Sequence, residues 1–250
     1  MTKEDIYEIF DNGGLFRQTV ENYEFREGQL NMALDVIRCY ENNCIGAIEA
    51  GTGIGKSFAY LVPALNYAFE DPTDRTVIAT STINLQRQLL EKDIPTLFRI
   101  LNKDCKVAIA VGRNNYLCLR RLSEEIKANI LLAEDSLSDL GRMREFASNT
   151  ETGLRTEFSG KLDYSLWSAI NSDADFCMGS KCPYVCQCFY YKSINRLLES
   201  SIIICNHHLL FVDSSARLND QCDYTEDNVL PAFNRLVIDE AHNIERHATS

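Results

Sequence analysis

Short apolar runs alternate with amphipathic stretches along most of the chain. From Gln29 to Tyr40 the apolar residues return at helical spacing, and CIGAIEA (44–50) then reads as a strand. A glycine-rich turn separates that run from the helical SFAYLVPALNYAF (57–69). The alternation continues through TVIAT (76–80), the helical INLQRQLLEKDI (83–94), KVAIAV (106–111), SIIIC (201–205) and RLVID (235–239). Each β-branched run is long enough for a strand buried on both faces and too short for a helix. The order predicts an α/β domain whose parallel sheet is covered by helices. Between Cys118 and Cys188 the pattern lapses into an acidic helical stretch (124–148) and a turn-rich segment, so 118–188 reads as an insertion dividing 1–117 from 189–250. There is no internal repeat and no low-complexity linker.

A chain of 250 residues with 45% apolar content can bury the core of one large α/β domain carrying an insertion. Its amino terminus, MTKEDIYEIFDNGG, lacks the basic start and apolar run of a secretory signal, and no segment reaches the ~20 apolar residues of a membrane span. These features place the chain in the cytoplasm, away from membranes. There its ten cysteines are expected to be reduced, and clustered ones to bind metal or do chemistry. A net charge of −11 excludes a protein that coats nucleic acid through bulk positive charge, so any such contact must be local.

The turn EAGTGIGKS (49–57) carries candidate phosphate chemistry. Gly51, Gly53 and Gly55 allow positive φ and close approach, so that backbone N–H groups from Ala50, Gly51, Thr52, Gly53 and Gly55 can converge on phosphate oxygens at a helix start. Lys56 would reach the β- and γ-phosphates of ATP and Ser57 would hold Mg²⁺. The common pattern asks for glycine at position 50, where this chain has Ala50; a small residue suffices. A glycine turn between strand and helix without ligand is the plainer reading, which Lys-Ser at the helix start disfavours. At the end of RLVID, Asp239 and Glu240 lie at the carboxyl edge of the predicted sheet, where ligands of open α/β sheets bind. Asp239 would position Mg²⁺ and Glu240 would orient the attacking water.

Together, A-G-T-G-I-G-K-S and D-E-A-H resemble the first motor lobe of superfamily 2 helicases, whose loop begins with alanine. The resemblance implies a RecA-like fold, an adenine-reading role for Gln29, and His242 beside the nucleotide. Gln29 also fits an exposed helix-start residue. VIATSTINLQRQLL resembles the segment of these motors that touches the DNA backbone, which nominates Thr80, Thr82 and Gln86; helix capping by Thr82 is compatible with that. VGRNNYLCLRRL and DFCMGSKCPYVCQCFYY then narrow the likeness to iron–sulfur helicases of the DinG and XPD type, and SIIICNHHLLFVD to DinG in particular. That likeness implies a 4Fe–4S cluster on Cys118, Cys177, Cys182 and Cys188, with zinc on the same thiolates as the alternative. Cys186 is a fifth candidate, set aside because Cys188 directly precedes Phe189-Tyr190 as the last ligand does in the family. Around the cysteines, Arg113, Arg120 and Arg121 are candidate DNA contacts among aromatic residues that either stack on bases or build the insertion's own core. Asn206 and His207 suggest a polar edge facing DNA.

The function the resemblance implies is an ATP-driven helicase that tracks on single-stranded DNA and opens forked or displaced-strand substrates, in a DNA-repair setting. It is expected to act as a monomer with a second motor lobe that these 250 residues do not contain. A metal-cluster nucleic-acid-binding or redox-sensing module with a vestigial ATP site is the alternative; the intact Lys56, Ser57, Asp239 and Glu240 favour the motor. A small-molecule kinase leaves the cysteines unexplained. An added amino-terminal nuclease is disfavoured by the short stretch before Gln29.

Overall fold

The computed structural model describes residues 2–20, 23–51, 53–130 and 138–244. They form two compact units, 1–110 with 199–250, and 111–198. In the first, helices α1 (Lys3–Phe10), α2 (Leu15–Thr19) and α3 (Glu27–Glu41) precede α4 (Lys56–Glu70) and strand β1 (Thr76–Thr80). After β1, α5 (Ile83–Gln88) runs through a π-turn at Leu89–Asp93 into α6 (Ile94–Leu101), and β2 (Val107–Ile109) follows. The second unit holds α7 (Leu119–Ala128), α8 (Asp139–Asn149), α9 (Tyr164–Ile170) and α10 (Phe189–Leu198). The chain then resumes the first unit with β3 (Ile202–Asn206), α11 (His207–Asp220) and β4 (Arg235–Ile238).

The four strands form a parallel sheet in the order β2-β3-β1-β4, with Ile78 opposite Ile204 and Val237. Residues alternate between its faces. Ile78, Ile202 and Ile204 pack with Ile37 of α3 and Leu61 and Leu65 of α4, all fully buried. Val77, Ala79, Ile203 and Cys205 take the other parity and are equally buried, as strands covered on both faces require. Thr82 caps α5 by accepting from Leu85 N–H at 3.2 Å, and Asn206 caps α11 by accepting from Leu209 N–H at 2.7 Å. Among the described residues, no helix is long and apolar enough to cross a membrane.

The run CIGAIEA departs from expectation. Among the described residues, 44–50 pair with no strand, and Ile45 is 101% exposed. An apolar run becomes a strand only where a neighbour satisfies its backbone groups, and β4, which ends the described sheet, is paired on its β1 side alone. The predicted helix over 83–94 is longer than its pattern, continuing past Pro95 to Leu101, because proline is tolerated in the first turn of α6. Part of the predicted helical stretch at 124–148 lies outside the described residues.

The second unit has its own core of Tyr116, Leu117, Leu122, Leu140, Met143, Trp167, Ile170 and Phe189. Boundaries drawn at the cysteines, 118 and 188, leave out Tyr116, Leu117 and Phe189. The compact unit is therefore wider, because the side chains that bury one another extend past the thiols.

Candidate functional site

The turn after residue 50 delivers Gly55 at φ 84° as the residue before α4, with Gly53 at φ 80°. Both lie in the left-handed region that favours glycine. At Gly55 the space is filled as well: a Cβ there would come 2.1 Å from Gln29 Nε2. That nitrogen donates to the Gly55 carbonyl at 2.9 Å, while the Tyr23 hydroxyl donates to Gln29 Oε1 at 3.1 Å. Gln29 is thus buried against the loop, rather than being an exposed helix-start residue. Arg26 adds a second clamp by donating to the Gly53 carbonyl. Gly51 is exposed and Ala50 half-buried; Thr52 lies outside the described residues.

Lys56 begins α4 and its Nζ lies 3.1 Å from Glu240 Oε1. Asp239 N–H donates to Ala79 O at 2.9 Å, which extends the β1–β4 ladder by one residue. Glu240 then turns out of the ladder at φ 55°, a strained value for a residue with a side chain. The Asp239 carboxylate accepts from Tyr60 Oη at 3.2 Å and from Glu240 N–H at 3.0 Å. Burial pushes its pKa up from 3.8, the Tyr60 bond opposes this, and the Glu240 charge adds to it. Ser57 lies close enough to Tyr60 and Asp93 to oppose the rise in both their pKa values. Asp93 is itself buried, with its pKa raised by that burial. His242 is largely exposed, and its Nδ1 lies 3.4 Å from Glu240 Oε2. The turn therefore gathers a lysine, a serine and two carboxylates, a set able to hold a divalent cation and a phosphate chain together.

Arg26, Tyr60 and Asp93 were not nominated from the sequence. Arg26 sits three residues before Gln29 and Tyr60 three after Ser57, so helical spacing is the signal that could have found them. Asp93 had none, because it reads as one of several charges in LLEKDI.

Other nominated residues occupy different places. Thr80 is fully buried and its hydroxyl donates to the Thr82 carbonyl at 3.2 Å; Gln86 is also buried. Of that trio only Thr82 is exposed, as a helix cap. His207 is 1% exposed, with Nε2 2.9 Å from the Asp239 carbonyl. A side chain so covered offers no edge to a DNA backbone, and its place is behind the acidic turn. Asn206 has its side chain in the cap of α11.

In the second unit, Cys118, Cys177, Cys182 and Cys188 border one cavity with Arg120, Phe176 and Tyr191. Cys186 is exposed and does not line it. Two short 3₁₀ turns, Gly179–Lys181 and Val185–Gln187, carry the chain round this cavity. Gly179 N–H donates to Cys177 Sγ at 3.4 Å. Burial pushes the Cys177 thiol up, but that amide and the Arg113 guanidinium outweigh it and leave its pKa below 9.0. Among the described residues no three His, Cys, Asp or Glu side chains converge as ligands of a single metal ion.

The three arginines nominated for DNA are engaged within this unit. Arg113 donates to Ser172 Oγ at 3.1 Å and stacks over Tyr190. Arg120 pairs with Glu124 and donates to the Phe176 carbonyl, each at 2.6 Å. Arg121 donates to Asn171 and Ser168 at 2.8 Å. A planar donor fork satisfied by carbonyls positions loops, so these residues build the insertion. Lys181, Lys192 and Arg196 are exposed cations nearby.

Comparison with known proteins adds independent findings. A family model described as DEAD/DEAH box helicase matches residues 28–152. The chain is 34% identical over 240 residues to the ATP-dependent DNA helicase YoaA of Haemophilus influenzae, covering 96% of this chain and 36% of that protein. It is 33% identical over 243 residues to the ATP-dependent helicase DinG of Mycobacterium tuberculosis, covering 90% and 35%. With the protein named 3'-5' exonuclease DinG of Bacillus subtilis, the identity is 30% over 240 residues, covering 93% and 24%. The chain thus spans about a third of the length of the first two relatives, and less of the last.

Proposed function

The chain belongs to the DEAD/DEAH box helicase family, and on that premise we propose that it forms the ATP-binding motor lobe, with a cysteine insertion, of a DNA helicase of the DinG and YoaA kind. The observation that carries this reading is the ion pair of Lys56 with Glu240 beside Asp239, formed across 184 residues of sequence. Mg-ATP, when bound, supplies the phosphoryl group that passes to water. Lys56 and the loop amides hold the phosphate oxygens, and Ser57 and Asp239 hold Mg²⁺. As phosphate replaces Glu240 as the partner of Lys56, the carboxylate is released to orient a water and accept its proton. Gln29, braced on Gly55, links adenine recognition to the loop's shape.

The four cavity cysteines are the ligands we assign to an iron–sulfur cluster, with zinc on the same thiolates as the alternative. A zinc ion with bonds of about 2.3 Å draws four sulfurs around one point, whereas in a 4Fe–4S cluster each thiolate bonds a different iron. Both groups accept four thiolates, and Cys118, Cys177, Cys182 and Cys188 border one cavity. A cluster, when bound, would tether the start of α7, through Cys118, to the segment 177–188, which has only short 3₁₀ turns of its own. Lys181 and Lys192, beside Tyr184 and Tyr191, are the groups we assign to a single strand of DNA, charge for its backbone and rings for its bases. Forked and displaced-strand substrates, and a second motor lobe, complete the proposal.

Two experiments test it. Anaerobically purified protein should show broad visible absorbance with matching iron and sulfide, lost in Cys118→Ser, Cys177→Ser, Cys182→Ser and Cys188→Ser and kept in Cys186→Ser. A colourless zinc protein would sink the cluster assignment. Residues 1–250 should bind Mg-ATP weakly and turn it over slowly, since an arginine supplied from outside such a lobe is worth about 10³ to 10⁵ in rate. A longer chain carrying the second lobe should hydrolyse ATP when single-stranded DNA is added, and Lys56→Ala or Glu240→Gln should abolish this. DNA-dependent turnover that survives Glu240→Gln would refute the role given to that residue.

A further inference from the structure

The end of α3 brings two thiols together. The chain turns through Asn42 and Asn43, the latter at φ 48°, and Cys44 N–H donates to the Cys39 carbonyl at 3.1 Å. This six-residue closure is a Schellman turn, in which the side chains at the two ends of the closing bond pack against each other. In most helices that contact is between apolar residues. Here the residues at those two ends are Cys39 and Cys44, so the closing turn sets one thiol beside the other. Cys39 is half-buried and Cys44 exposed. The outgoing chain closes over Cys39 as well, since a Cβ on Gly46 would come 2.5 Å from its Sγ. No other pair of thiols outside the metal-site segment is joined by such a turn among the described residues: Cys105 is half-buried and Cys205 buried, each with its pKa pushed up to about 12 by burial, and Cys222 accepts from Asn228 at 3.4 Å.

We propose that Cys39 and Cys44 are a redox-modification site, a vicinal pair that a hydroperoxide converts reversibly into a disulfide just ahead of the phosphate loop. Backbone already joined by a hydrogen bond at these two residues has the short separation that a disulfide spans. In the first step the exposed Cys44 sulfur attacks the peroxide O–O bond; it becomes a sulfenic acid and one water leaves. In the second, the Cys39 sulfur attacks the sulfenic sulfur, the S–S bond forms, and the hydroxyl departs as a second water. Two thiols are oxidised and one peroxide is reduced to two waters. Cys44 is exposed and Cys39 half-buried, and burial, then the neighbouring Cys44, holds the Cys39 thiol above its usual 9.0, so Cys39 is the resolving partner and Cys44 the first target. Once closed, the link ties residue 44 to the end of α3 and restrains the exposed run 45–50 that leads into the loop.

The test uses the 250-residue chain with equimolar hydrogen peroxide, followed by alkylation of free thiols, cleavage after Glu41 and mass spectrometry. Cleavage there separates Cys39 from Cys44 unless a disulfide joins them. The expected product is the joined pair, released by dithiothreitol, appearing before any other cysteine is oxidised outside the metal-site segment. In Cys39→Ser, Cys44 should stall as a sulfenic acid trapped by dimedone; in Cys44→Ser, Cys39 should stay a free thiol. Amide hydrogen exchange over 45–50 should slow several-fold in the joined form. Joining of either thiol to a different cysteine, or oxidation of Cys39 in the absence of Cys44, overturns the proposal. Should a serine variant fail to fold, the joined or separate state of the unaltered chain decides alone.

Discussion

Replacing Arg217 by methionine should unfold the acidic-motif end of the sheet more severely than any surface change. Arg217 and Asp213 are 3% and 0% exposed, and the arginine Nε donates to Asp213 Oδ2 at 2.7 Å. Its other nitrogens donate to the carbonyls of Asp223, Glu226 and Leu230, while Asp213 Oδ1 accepts from Leu230 N–H at 2.8 Å. Tyr224 and Phe233 lie 5.0 and 5.6 Å from the guanidinium, so one side chain organises the whole connection between α11 and β4. Four charge-assisted bonds at about 1.5 to 3 kcal/mol each would sum to roughly 6 to 12 kcal/mol. The desolvation of the arginine is recovered on removing it, which brings the net loss to about 3 to 5 kcal/mol, the usual cost of stranding one partner of a buried pair. Against a typical stability of about 5 to 15 kcal/mol this is a large fraction. Urea titration followed by circular dichroism would measure it, and hydrogen exchange over 223–238 would locate it. The only tryptophan, Trp167, belongs to the other unit and is not the probe to use. Changing Asp213 to leucine in the same chain should recover part of the loss, since it removes the stranded carboxylate. A loss below about 1 kcal/mol with unchanged exchange would refute the reasoning.

Gly55→Ala should lower Mg-ATP affinity by at least tenfold, read by titration with a fluorescent ATP analogue, because the added Cβ meets Gln29 Nε2 at 2.1 Å and φ is 84°. Retained affinity would mean that the loop adopts another shape to bind. Asp93→Asn should flatten part of the stability–pH curve. Burial raises the Asp93 pKa above 3.8 in the folded state, so the folded chain holds that proton more tightly than the unfolded chain. Stability from this group is fully present below the unfolded value and is lost as pH rises through the folded value; the asparagine variant should lack that slope. Gly153→Ala should destabilise the cysteine-bearing unit, shifting Trp167 emission at lower urea, since φ is 68° and the new Cβ would lie 2.3 Å from the Phe189 ring. An unshifted transition would show that Phe189 can move aside.

Local chemistry was readable because it depends on neighbours in sequence. TVIAT, SIIIC and RLVID became β1, β3 and β4 within a residue of their patterns, since a β-branched run between turns has one conformation that buries it. Lys56, Asp239 and Glu240, which the fold brings together, could be singled out for the same reason: a phosphate loop and an acidic strand end are each written in a few adjacent residues. Burial was less legible. Thr80, Gln86 and His207 are polar residues at strand ends and helix starts, and nothing adjacent reveals that later elements cover them.

The sequence by itself determined most of the elements, the parallel α/β class and the nucleotide motif, because spacing and side-chain type limit what each short stretch can do. Tertiary structure alone decided the strand order, and that Gln29 braces Gly55 rather than facing solvent. It also turned Arg113, Arg120 and Arg121 inward to the carbonyls, carboxylate and rings of their own unit. It left the run 44–50 outside the sheet, although its pattern is as apolar as those of the strands that formed. The physical reason is the same in each case. A hydrogen bond, a ladder or a buried charge is completed by a partner distant in sequence, and periodicity along the chain carries no information about which partner arrives.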